Sequence, residues 1–517
     1  MDPKSPVTAV QIGDPITQKK LSDVIVKEAR NLELYRSITD NGAGGISCSV
    51  AEMAKECNGC LVYLDKVPLK YQGMAPWEIW ISESQERMTL AVPPDKLDAL
   101  LQLMQSREVE ATVIGKFTDS GRCVVEWHDN VVMDITLDFL HDGLPKKQLK
   151  TTYTQKTYPE PDHACPDRLD ATLLAMLKRK NLCSKEFISI QYDHTVQGGH
   201  VLGPVQGRGR VQAAATLTKV VPGSKKGVGL SQGLYPSYSD IDCYLMAGAA
   251  IDTAIRGLIA TGVPLDTIAI LDNFCWCSPD DPERLGQLKR AARGCYDYAV
   301  AFGTPFISGK DSMYNDFSGF DAENNPVKVS VPPILLISSI GIHADVQKAV
   351  SMDAKIEGDL IYVIGDTAEE LGGSEYFALL GGTGNTVPKL DAAAAKARYW
   401  RLTDALSHEQ VASAFPVSHG GLGTALAKVA IAGQRGMEIT IPSAIRPDYY
   451  LFSESLGRFV VTVATDHKRE FERICGADAL LLGRVIGKNL RITSDKLLLD
   501  LPVSELETAY KSPFRGY

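Results

Sequence analysis

The sequence has no long hydrophobic run and no apolar leader. No stretch approaches the roughly 18 consecutive apolar residues of a membrane-spanning helix. The first ten residues, MDPKSPVTAV, contain no apolar segment of the kind that a secretory signal needs. These two absences predict a cytoplasmic protein that has neither a signal peptide nor a membrane span.

An excess of positive charge is also missing. The 63 aspartates and glutamates outnumber the 54 lysines and arginines, which gives a formal net charge of −9. We therefore expect no nucleic-acid partner and no attachment to an acidic membrane surface. The 44% of hydrophobic and 23% of charged residues are typical of a soluble globular protein, and 517 residues are enough for about three or four domains.

The cysteines and histidines form no catalytic or metal-binding pattern. The eleven cysteines are odd in number and scattered, which favours reduced thiols. The motif ECNGC (56–60) lacks the second CxxC pair of a zinc site. It is no glutaminase nucleophile turn either, since a helical segment precedes it and Lys55 replaces the required glycine. The nine histidines show no HxxxH spacing, and we assign no catalysis to His419.

A P-loop is absent, although one segment is suited to phosphate. The motif SGKDSMYN (308–315) follows a predicted strand but does not have the G-x-x-x-x-G-K-[ST] spacing. Gly309, Lys310 and Ser312 could still contact a nucleotide phosphate. A second predicted strand, TIAIL (267–271), delivers Asp272 at its end. The basic GRGR (207–210) is better explained as a solvated turn.

The sequence does contain an internal repeat. Four pairs of motifs occur in the same order with similar gaps: VQIGDP (10–15) with YVIGDT (362–367), DNGAGGI (40–46) with PVSHGGL (416–422), SESQERM (82–88) with SESLGRF (453–459), and TVIGKF (112–117) with RVIGKN (484–489). A short-period solenoid would repeat more often. The pattern therefore predicts two copies of one domain of about 150 residues.

The repeat divides the chain into four segments of a mixed α/β, or α+β, protein. Residues 1–145 form the first copy, and residues 351–517 form the second. A charged, proline-bearing linker is predicted at 146–184. Residues 185–350 resemble neither copy, and their two helical patterns and intervening strands predict a separate α/β domain.

Asp40 is the candidate metal ligand of the first copy. It lies where a predicted strand ends and the glycine-rich turn begins, so its carboxylate could hold Mg²⁺ on a phosphate while Gly44 and Gly45 expose backbone N–H groups. The alternative is an Asx turn that caps the next helix. The second copy has Pro416 at the aligned position, and this loss of the carboxylate favours the metal role.

The heptapeptide of the first copy is the candidate ligand-binding segment. On its own SESQERM reads as a polar turn before a strand. The second copy keeps Ser-Glu-Ser and the arginine but replaces Gln85 and Glu86 with Leu456 and Gly457. This asymmetry indicates that Glu83, Ser84 and Gln85 offer hydrogen-bonding groups to a polyhydroxylated, phosphorylated ligand.

Together these motifs resemble the phosphoribosylformylglycinamidine synthase family, which belongs to the aminoimidazole ribonucleotide synthetase superfamily. VQIGDPITQKK, TDNGAGG, SESQERM, LDNFCW, PFISGKDSMYND and LGGSEYF carry the resemblance, which covers nearly the whole chain. The resemblance implies a duplicated fold in which each repeat has two halves. This chain would contain the C-terminal half of repeat one and both halves of repeat two, and it would lack the N-terminal half of repeat one.

The resemblance also implies a reaction. ATP phosphorylates the formamide oxygen of formylglycinamide ribonucleotide and ammonia displaces phosphate, with Mg²⁺ neutralising charge. The family's catalytic histidine would lie outside this chain. The roles carried over by motif are Mg²⁺ binding for Asp40, ribonucleotide binding for Gln11, Glu83, Ser84 and Gln85, and a second nucleotide site, which could hold ADP, for Asp272, Gly309 and Ser312. Lys310 replaces an asparagine that ligates metal in some members.

The partners implied are a separate chain carrying the missing half, a glutaminase subunit and a small accessory subunit. Under the alternative hypothesis, the chain is a non-catalytic nucleotide-binding scaffold of the same complex. Asp40 and an intact SESQERM favour the first hypothesis, because a scaffold does not need them.

Overall fold

A computed structural model describes residues 9–191, 194–195 and 197–516. The chain divides into two compact units, unit 1 (Met1–Gln148) and unit 2 (Leu149–Tyr517). Each unit is described by itself below.

Unit 1 is a mixed α/β structure. Its helices are α1 (Pro15–Val24, continued by a π-helical turn), α2 (Gly45–Cys57), α3 (Pro76–Ile81), α4 (Leu97–Ser106) and α5 (Leu137–Asp142). Its strands are β1 (Val10–Gln11), β2 (Ser37–Asp40), β3 (Cys60–Tyr63), β4 (Glu83–Ser84), β5 (Met88–Ala91), β6 (Gly115–Phe117), β7 (Arg122–Trp127) and β8 (Asn130–Thr136).

The described strands of unit 1 form three separate sheets. Strands β1 and β4 are parallel, β2 and β5 are antiparallel, and four strands follow the order β6-β3-β7-β8. The apolar face of α2, with Ile46, Val50 and Ala54, packs on the buried side chains of β3 and β7. This packing fixes the start of α2, where the glycine loop lies.

The first half of unit 2 also has a mixed architecture. Its helices are α6 (Asp170–Leu177), α7 (Glu186–Ser189), α8 (Cys243–Ala260) and α9 (Pro282–Phe302). Its strands are β9 (His200–Leu202), β10 (Val205–Gln206), β11 (Val211–Gln212), β12 (Ala215–Thr218), β13 (Gly227–Leu234), β14 (Ala269–Cys275), β15 (Phe306–Ser312), β16 (Asp316–Phe320), β17 (Pro326–Ser330) and β18 (Ile334–His343).

The rest of unit 2 repeats the pattern of unit 1. Its helices are α10 (Glu375–Leu379), α11 (Ala392–Ser407), α12 (Gly421–Gly433), α13 (Pro447–Phe452), α14 (Lys468–Cys475) and α15 (Val503–Lys511). Its strands are β19 (Leu360–Ile364), β20 (Ser413–Pro416), β21 (Met437–Thr440), β22 (Phe459–Val463), β23 (Ala479–Val485), β24 (Asn489–Thr493) and β25 (Leu497–Pro502).

A six-stranded sheet of order β15-β14-β18-β13-β12-β9 occupies the first half of unit 2. Helix α8 packs on strands β13 and β18, and α9 packs on α8. On the opposite face, alternate residues of β13 point outward, so Leu230 is 53% exposed and Leu234 is also exposed. Ile342 of β18 is exposed on the same face. Within the described residues of unit 2, the face of the sheet opposite α8 therefore exposes several apolar side chains.

Helix α8 is long and apolar enough to cross a membrane by length and composition, and 83% of it is buried inside the protein. It contains Asp252 and Arg256, both fully buried and paired with each other at 2.5 Å. These charges interrupt the apolar run, which is why the sequence showed no uninterrupted membrane-length segment.

The predicted linker is attached to unit 2 along much of its length. Thr152 donates its N–H to the carbonyl of Pro282, and Tyr158 donates its N–H to the side chain of Asn385. Further on, Leu173 in α6 is fully buried among core residues. The boundaries 146 and 184 stay predictions, but the segment between them is hydrogen-bonded and packed against other residues of unit 2.

Two regions share one order of elements and one pattern of strand pairing. Each region contains an antiparallel pair of strands, β2-β5 or β20-β22. Each also contains a strand, β3 or β21, that has an antiparallel neighbour on one side and a parallel neighbour on the other. The corresponding elements are β2 and β20, α2 and α12, β3 and β21, β5 and β22, α4 and α14, β6 and β23, β7 and β24, β8 and β25, and α5 and α15. We call unit 1 copy one and residues 351–517 copy two.

The pairing of VQIGDP with YVIGDT is wrong. Asp14 caps the start of α1 and Asp391 caps the start of α11, and each helix precedes the first strand of its antiparallel pair, β2 or β20. VQIGD (10–14) therefore corresponds to VPKLD (387–391). YVIGD instead forms most of β19, which has no counterpart among the described residues of copy one.

The pairing of TVIGKF with RVIGKN is also wrong, by four residues. Gly115 pairs beside β3 so closely that a Cβ there would lie 2.2 Å from the carbonyl oxygen of Leu61. In copy two the same close approach is made by Gly483, where a Cβ would lie 1.8 Å from the carbonyl oxygen of Glu438. Gly115 therefore corresponds to Gly483 and not to Gly487. The other two motif pairs keep their positions in the fold.

Candidate functional site

Gln11 is the centre of a polar cluster in copy one. The parallel pairing of β1 with β4 brings it beside the heptapeptide. Its side chain is only 4% exposed, its amide nitrogen donates to Ser82 Oγ at 3.0 Å, and its amide oxygen accepts from Ser84 Oγ at 2.6 Å. These contacts fix the orientation of the amide. The structure thus brings together Gln11 and the predicted heptapeptide residues.

Glu83 connects the heptapeptide to the glycine loop. Its Oε1 accepts a hydrogen bond from the N–H of Gly44 at 3.2 Å. Gly44 and Gly45 both have positive φ, at 81° and 59°, and a Cβ on Gly45 would lie 2.1 Å from the carbonyl oxygen of Ser82. Only glycine allows this contact. The loop and the heptapeptide therefore form one rigid surface.

Asp40 lies at the end of β2, on the same loop, and is exposed. Its Oδ1 accepts from the N–H of Gly42 at 2.9 Å, which is an Asx turn. Over the part of the chain that the structure describes, no cluster of three or more His, Cys, Asp or Glu side chains could hold a metal ion. The side chain of Asp40 thus forms an Asx turn but does not cap α2, whose N-cap is Gly44. The metal role of Asp40 stays a prediction.

Arg87 organises the heptapeptide, although the sequence analysis assigned it no role. Its guanidinium donates to the carbonyl of Ser82 at 2.8 Å and to that of Ser84 at 3.0 Å. Burial lowers the pKa of this arginine. The signal was available, because arginine occupies the same position in both heptapeptides.

Gln85 and Glu86, the two residues that differ between the copies, have different environments. Gln85 is exposed, and its backbone N–H donates to the carbonyl of Gln11 at 3.0 Å. Glu86 has a left-handed backbone with φ of 60°, and its Oε2 is buried without a hydrogen-bond partner among the described residues. Gly457 occupies this position in copy two with φ of 70°. Copy one therefore keeps a carboxylate where the backbone favours glycine.

Copy two has the same framework around its heptapeptide. Glu454 accepts from the N–H of Gly420 at 2.8 Å, as Glu83 does from Gly44. Arg458 donates to the carbonyls of Ser453 at 2.7 Å and Ser455 at 2.8 Å, as Arg87 does in copy one. The hydrogen bond of Glu83 to the glycine loop is therefore part of the fold, and it does not by itself indicate a ligand.

Two tyrosine side chains, Tyr235 and Tyr238, pack on the loop and the heptapeptide of copy two. Tyr238 donates its hydroxyl to Glu454 at 2.6 Å, and Glu454 is only 1% exposed. His419 stacks on Tyr235 with ring centroids 4.1 Å apart and contacts the carbonyl of Leu234 at 2.9 Å. Burial disfavours the charged imidazole and so lowers the pKa of His419. The hydrogen bond and the charge of Glu454 act in the opposite direction, and the net effect is a raised pKa. All seven residues of this heptapeptide (453–459) are buried.

The predicted nucleotide-binding residues of unit 2 lie on two adjacent parallel strands. Asp272 on β14 is paired with Gly309 on β15, and a Cβ on Gly309 would lie 2.6 Å from Asp272 Oδ1. Ser312, at the end of β15, is hydrogen-bonded to Asn315 at 3.2 Å. Partial burial and the charge of Asp311 raise the pKa of Asp272. Only β15 is at the sheet edge, and Asp272 lies in the middle of β14 (Ala269–Cys275), so the prediction that this strand ends at Asp272 is wrong.

Comparison with known proteins identifies the family. A family model for the AIR synthase related protein, C-terminal domain, matches residues 1–128 and 357–495. The subunit PurL of phosphoribosylformylglycinamidine synthase from Methanocaldococcus jannaschii is 32% identical over 98% of this chain and 68% of its own length. The chain belongs to the PurL family. The PurL of Streptomyces coelicolor is 31% identical over 98% of this chain and 66% of its own length, so the chain spans about two thirds of such PurL proteins.

Solved structures of PurL share the fold. Thermotoga maritima PurL complexed with ADP matches with a TM-score of 0.65 at 20% identity, over 93% of this chain and 69% of that one. The same protein complexed with FGAR matches with a TM-score of 0.62, over 92% of this chain and 66% of that one. The two separate family-model matches fall on copy one and copy two, in agreement with the predicted duplication.

Proposed function

We propose that the chain is the larger part of a phosphoribosylformylglycinamidine synthase, the ATP-dependent ligase of purine biosynthesis that converts formylglycinamide ribonucleotide to its amidine. The observation that carries this proposal is the contrast between the two loops. The cluster around Gln11 and Glu83 retains its polar heptapeptide in copy one, whereas Tyr235 and Tyr238 pack on the equivalent loop of copy two and on its glutamate. A protein with one working site and one silent site has this arrangement.

The ribonucleotide is assigned to the heptapeptide cluster. Its ribose hydroxyls, amide groups and phosphate need donors and acceptors held in fixed positions, and Gln11, Ser84, Glu83 and Gln85 supply both kinds. The fixed amide of Gln11 supports this assignment, because its orientation requires no reorganisation on binding. FGAR is the ligand named in one of the T. maritima PurL complexes.

Asp40 is assigned to Mg²⁺. Nucleotide-bound Mg²⁺ is usually held by one or two carboxylates together with substrate phosphates and water, so an exposed single carboxylate beside a glycine loop fits the ion. When bound, the metal neutralises charge on the phosphates during phosphoryl transfer. The role of Asp40 is to hold that ion beside the glycine loop. The N–H groups of Gly42, Gly44 and Gly45 are themselves bonded within the protein, so the expected backbone contact of the loop with the anion is not supported.

Asp272, Gly309 and Ser312 are assigned to a second nucleotide site, for ATP or ADP. Structures of T. maritima PurL with ATP, ADP and AMPPCP exist. Support from this chain is the pairing of Asp272 with Gly309, which leaves a carboxylate beside a backbone without a side chain. A bound nucleotide there stabilises unit 2 and does not react.

The proposed partners are a polypeptide with the missing half of repeat one, a glutaminase and a small accessory subunit, all in the cytosol. The open apolar face of the six-stranded sheet supports the first, because exposed apolar patches of this kind mark protein contacts. T. maritima PurL occurs in a structure called PurLQS. A catalytic histidine is proposed on the missing half. Neither a nucleic acid nor a membrane is proposed as a partner.

A complemented activity assay tests the proposal. The chain is purified alone and together with a polypeptide that carries the missing half, and each sample receives formylglycinamide ribonucleotide, MgATP and ammonium. We expect phosphate release and amidine formation only in the combined sample. Turnover by the chain alone would contradict the proposed division of the site. An inactive combination that binds ADP would favour the non-catalytic scaffold.

A further inference from the structure

The motif ECNGC (56–60), which matches neither a zinc site nor a nucleophile turn, places one of its cysteines against a second cysteine in the fold. Cys60 is the first residue of β3, and Cys123 lies on β7, where the two residues are direct partners in the parallel ladder. Their Sγ atoms are 3.4 Å apart, and the two residues are 1% and 0% exposed. Two thiols are therefore in contact inside unit 1.

The strand pairing already satisfies the geometry of a disulfide. Direct partners on neighbouring strands have Cα atoms about 4.8 Å apart, which lies inside the range of roughly 4.4–6.8 Å that disulfides need. Both cysteines are free in this structure. To form the bond, the two sulfur atoms would close from 3.4 Å to about 2.0 Å, which small rotations of the two side chains can provide.

Copy two shows that the same positions can be filled without cysteine. The residues that correspond to Cys60 and Cys123 are Met437 on β21 and Leu490 on β24, which are also direct partners and are fully buried. An apolar side chain is therefore all that the packing requires at these positions. The pair of thiols in copy one adds a chemical property that the packing does not need.

The two copies also differ in the size of the core around these positions. Cys60 and Cys123 belong to a cluster formed mainly by α2, β3 and β7. Met437 and Leu490 belong to a larger cluster, to which Leu173 of α6 also contributes. A covalent link contributes most to stability where the apolar core is small. A cross-link therefore has more effect in copy one than it would have in copy two.

We propose that Cys60 and Cys123 are a site of reversible oxidation, at which a peroxide converts the two thiols into a disulfide that links β3 to β7. The site involves neither the glycine loop nor the heptapeptide, so the proposal goes beyond the proposed function and does not depend on it. In the reduced form the pair is part of the core. In the oxidised form it is a covalent connection across the sheet.

Cys123 is the residue whose sulfur reacts first. Cys60 donates its S–H to Cys123, and this hydrogen bond lowers the pKa of the Cys123 thiol against the effect of burial. The Cys123 sulfur attacks one oxygen of hydrogen peroxide, the O–O bond breaks, and a sulfenic acid and one water are formed. The Cys60 sulfur then attacks the sulfenic sulfur, the S–O bond breaks, and a second water leaves. The two thiols thus lose two electrons and two protons, and one peroxide becomes two waters.

The cross-link stabilises unit 1 through its unfolded state. It joins residues 60 and 123 and closes a loop of about 60 residues, which restricts the unfolded chain. We expect the Tm of unit 1 to be about 5 °C or more higher in the oxidised chain than in the reduced chain. Because both sulfur atoms are buried, peroxide reaches them only during transient opening of the unit, and we expect slow conversion.

Peptide mapping of the full chain tests the proposal. The native protein is treated with hydrogen peroxide, its remaining thiols are alkylated in denaturant, and it is digested with trypsin in the absence of reductant. We expect the peptide 56–66, ECNGCLVYLDK, to be linked to the peptide that begins at Cys123. Dithiothreitol should separate the two peptides and return the Tm to its original value.

Single variants assign the bond. Because the peptide 56–66 contains two cysteines, Cys57→Ala is the matched control, and it should keep both the link and the increase in Tm. Cys60→Ala and Cys123→Ala should lose both. A link that survives in Cys60→Ala, a bond between Cys57 and Cys60 in the wild type, or native protein without a link after peroxide treatment would overturn the proposal. If a core variant does not fold, the presence or absence of the link in Cys57→Ala decides.

Discussion

The two glycine loops of the chain share a framework and differ in what covers them. Each loop is held by a glutamate of the heptapeptide, and each heptapeptide is held by an arginine that donates to two of its carbonyls. In copy two, Tyr238 is hydrogen-bonded to the glutamate, and Tyr235 packs on His419, which is part of the loop itself. This difference shows that the shared framework does not by itself make a ligand-binding site. A binding site also requires that a ligand can reach the loop and that the residues around the loop can contact it.

The largest expected effect comes from Asp40. In the complemented enzyme Asp40→Asn should lower kcat by a hundredfold or more, since loss of a metal-held charge costs several kcal/mol of transition-state stabilisation. Asparagine still accepts from Gly42, so the turn is preserved. The control is Asp321→Asn. Asp321 also forms an exposed Asx turn, in which its side chain accepts from the N–H groups of Glu323 and Asn325. Equal activities of the two variants would show that Asp40 has only the turn role.

Substitution of Glu454 should affect mainly stability, and substitution of Glu83 should affect mainly activity. Glu454→Gln should reduce the free energy of unfolding of unit 2 by about 2–3 kcal/mol, because a buried carboxylate with several donors is replaced by an amide. Glu83→Gln keeps its acceptor for Gly44 and should mainly raise KM for the ribonucleotide. Denaturant unfolding and complemented kinetics on both variants provide the comparison. A reversed pattern would mean that copy two is the working site.

Asp272 should affect stability through its ligand. ADP at 100 times its dissociation constant should stabilise unit 2 by about 2.7 kcal/mol, seen as a higher Tm. Asp272→Asn should lose this shift, and turnover of the complemented enzyme should change little. The control is Asp311→Asn, which removes the neighbouring charge but leaves the carboxylate beside Gly309. An Asp272→Asn enzyme without turnover at unchanged Tm would place the reaction in unit 2.

The smallest effect is a pH dependence of the loop of copy two. The folded pKa of His419 is raised, so its contribution is complete below the unfolded value of about 6.5 and is lost as pH rises through the folded pKa. The pKa of Glu454 is lowered, by His419 and its donors against the effect of burial, so its contribution is lost only in acid. Denaturant unfolding at pH 6 and pH 9 should show a larger decrease for the wild type than for His419→Gln. An equal decrease in the two proteins would show that the interaction between His419 and Glu454 does not cause the pH dependence.

Much of this arrangement was readable from the sequence, and the errors have a common cause. The loop and heptapeptide motifs were paired correctly because their glycines and arginine make the same local contacts in both copies. VQIGDP and TVIGKF were paired by matching letters in short strand-and-turn segments, which many registers satisfy equally well. Their true positions depend on partners such as Glu83 and Leu61, which are remote in sequence.

The covering of copy two could not have been predicted at all. Tyr235 and Tyr238 precede His419 by more than 180 positions in the sequence and belong to a segment that resembles neither copy. Only the packing of that segment on copy two brings them over Glu454.

The exposed apolar residues of β13 have a consequence for the handling of the protein. Leu230 and Leu234 lie on the sheet face opposite α8. Apolar patches of this kind promote association with other proteins unless they are covered. We expect the chain to aggregate at high concentration, and we expect a partner bound on this face to keep it in solution.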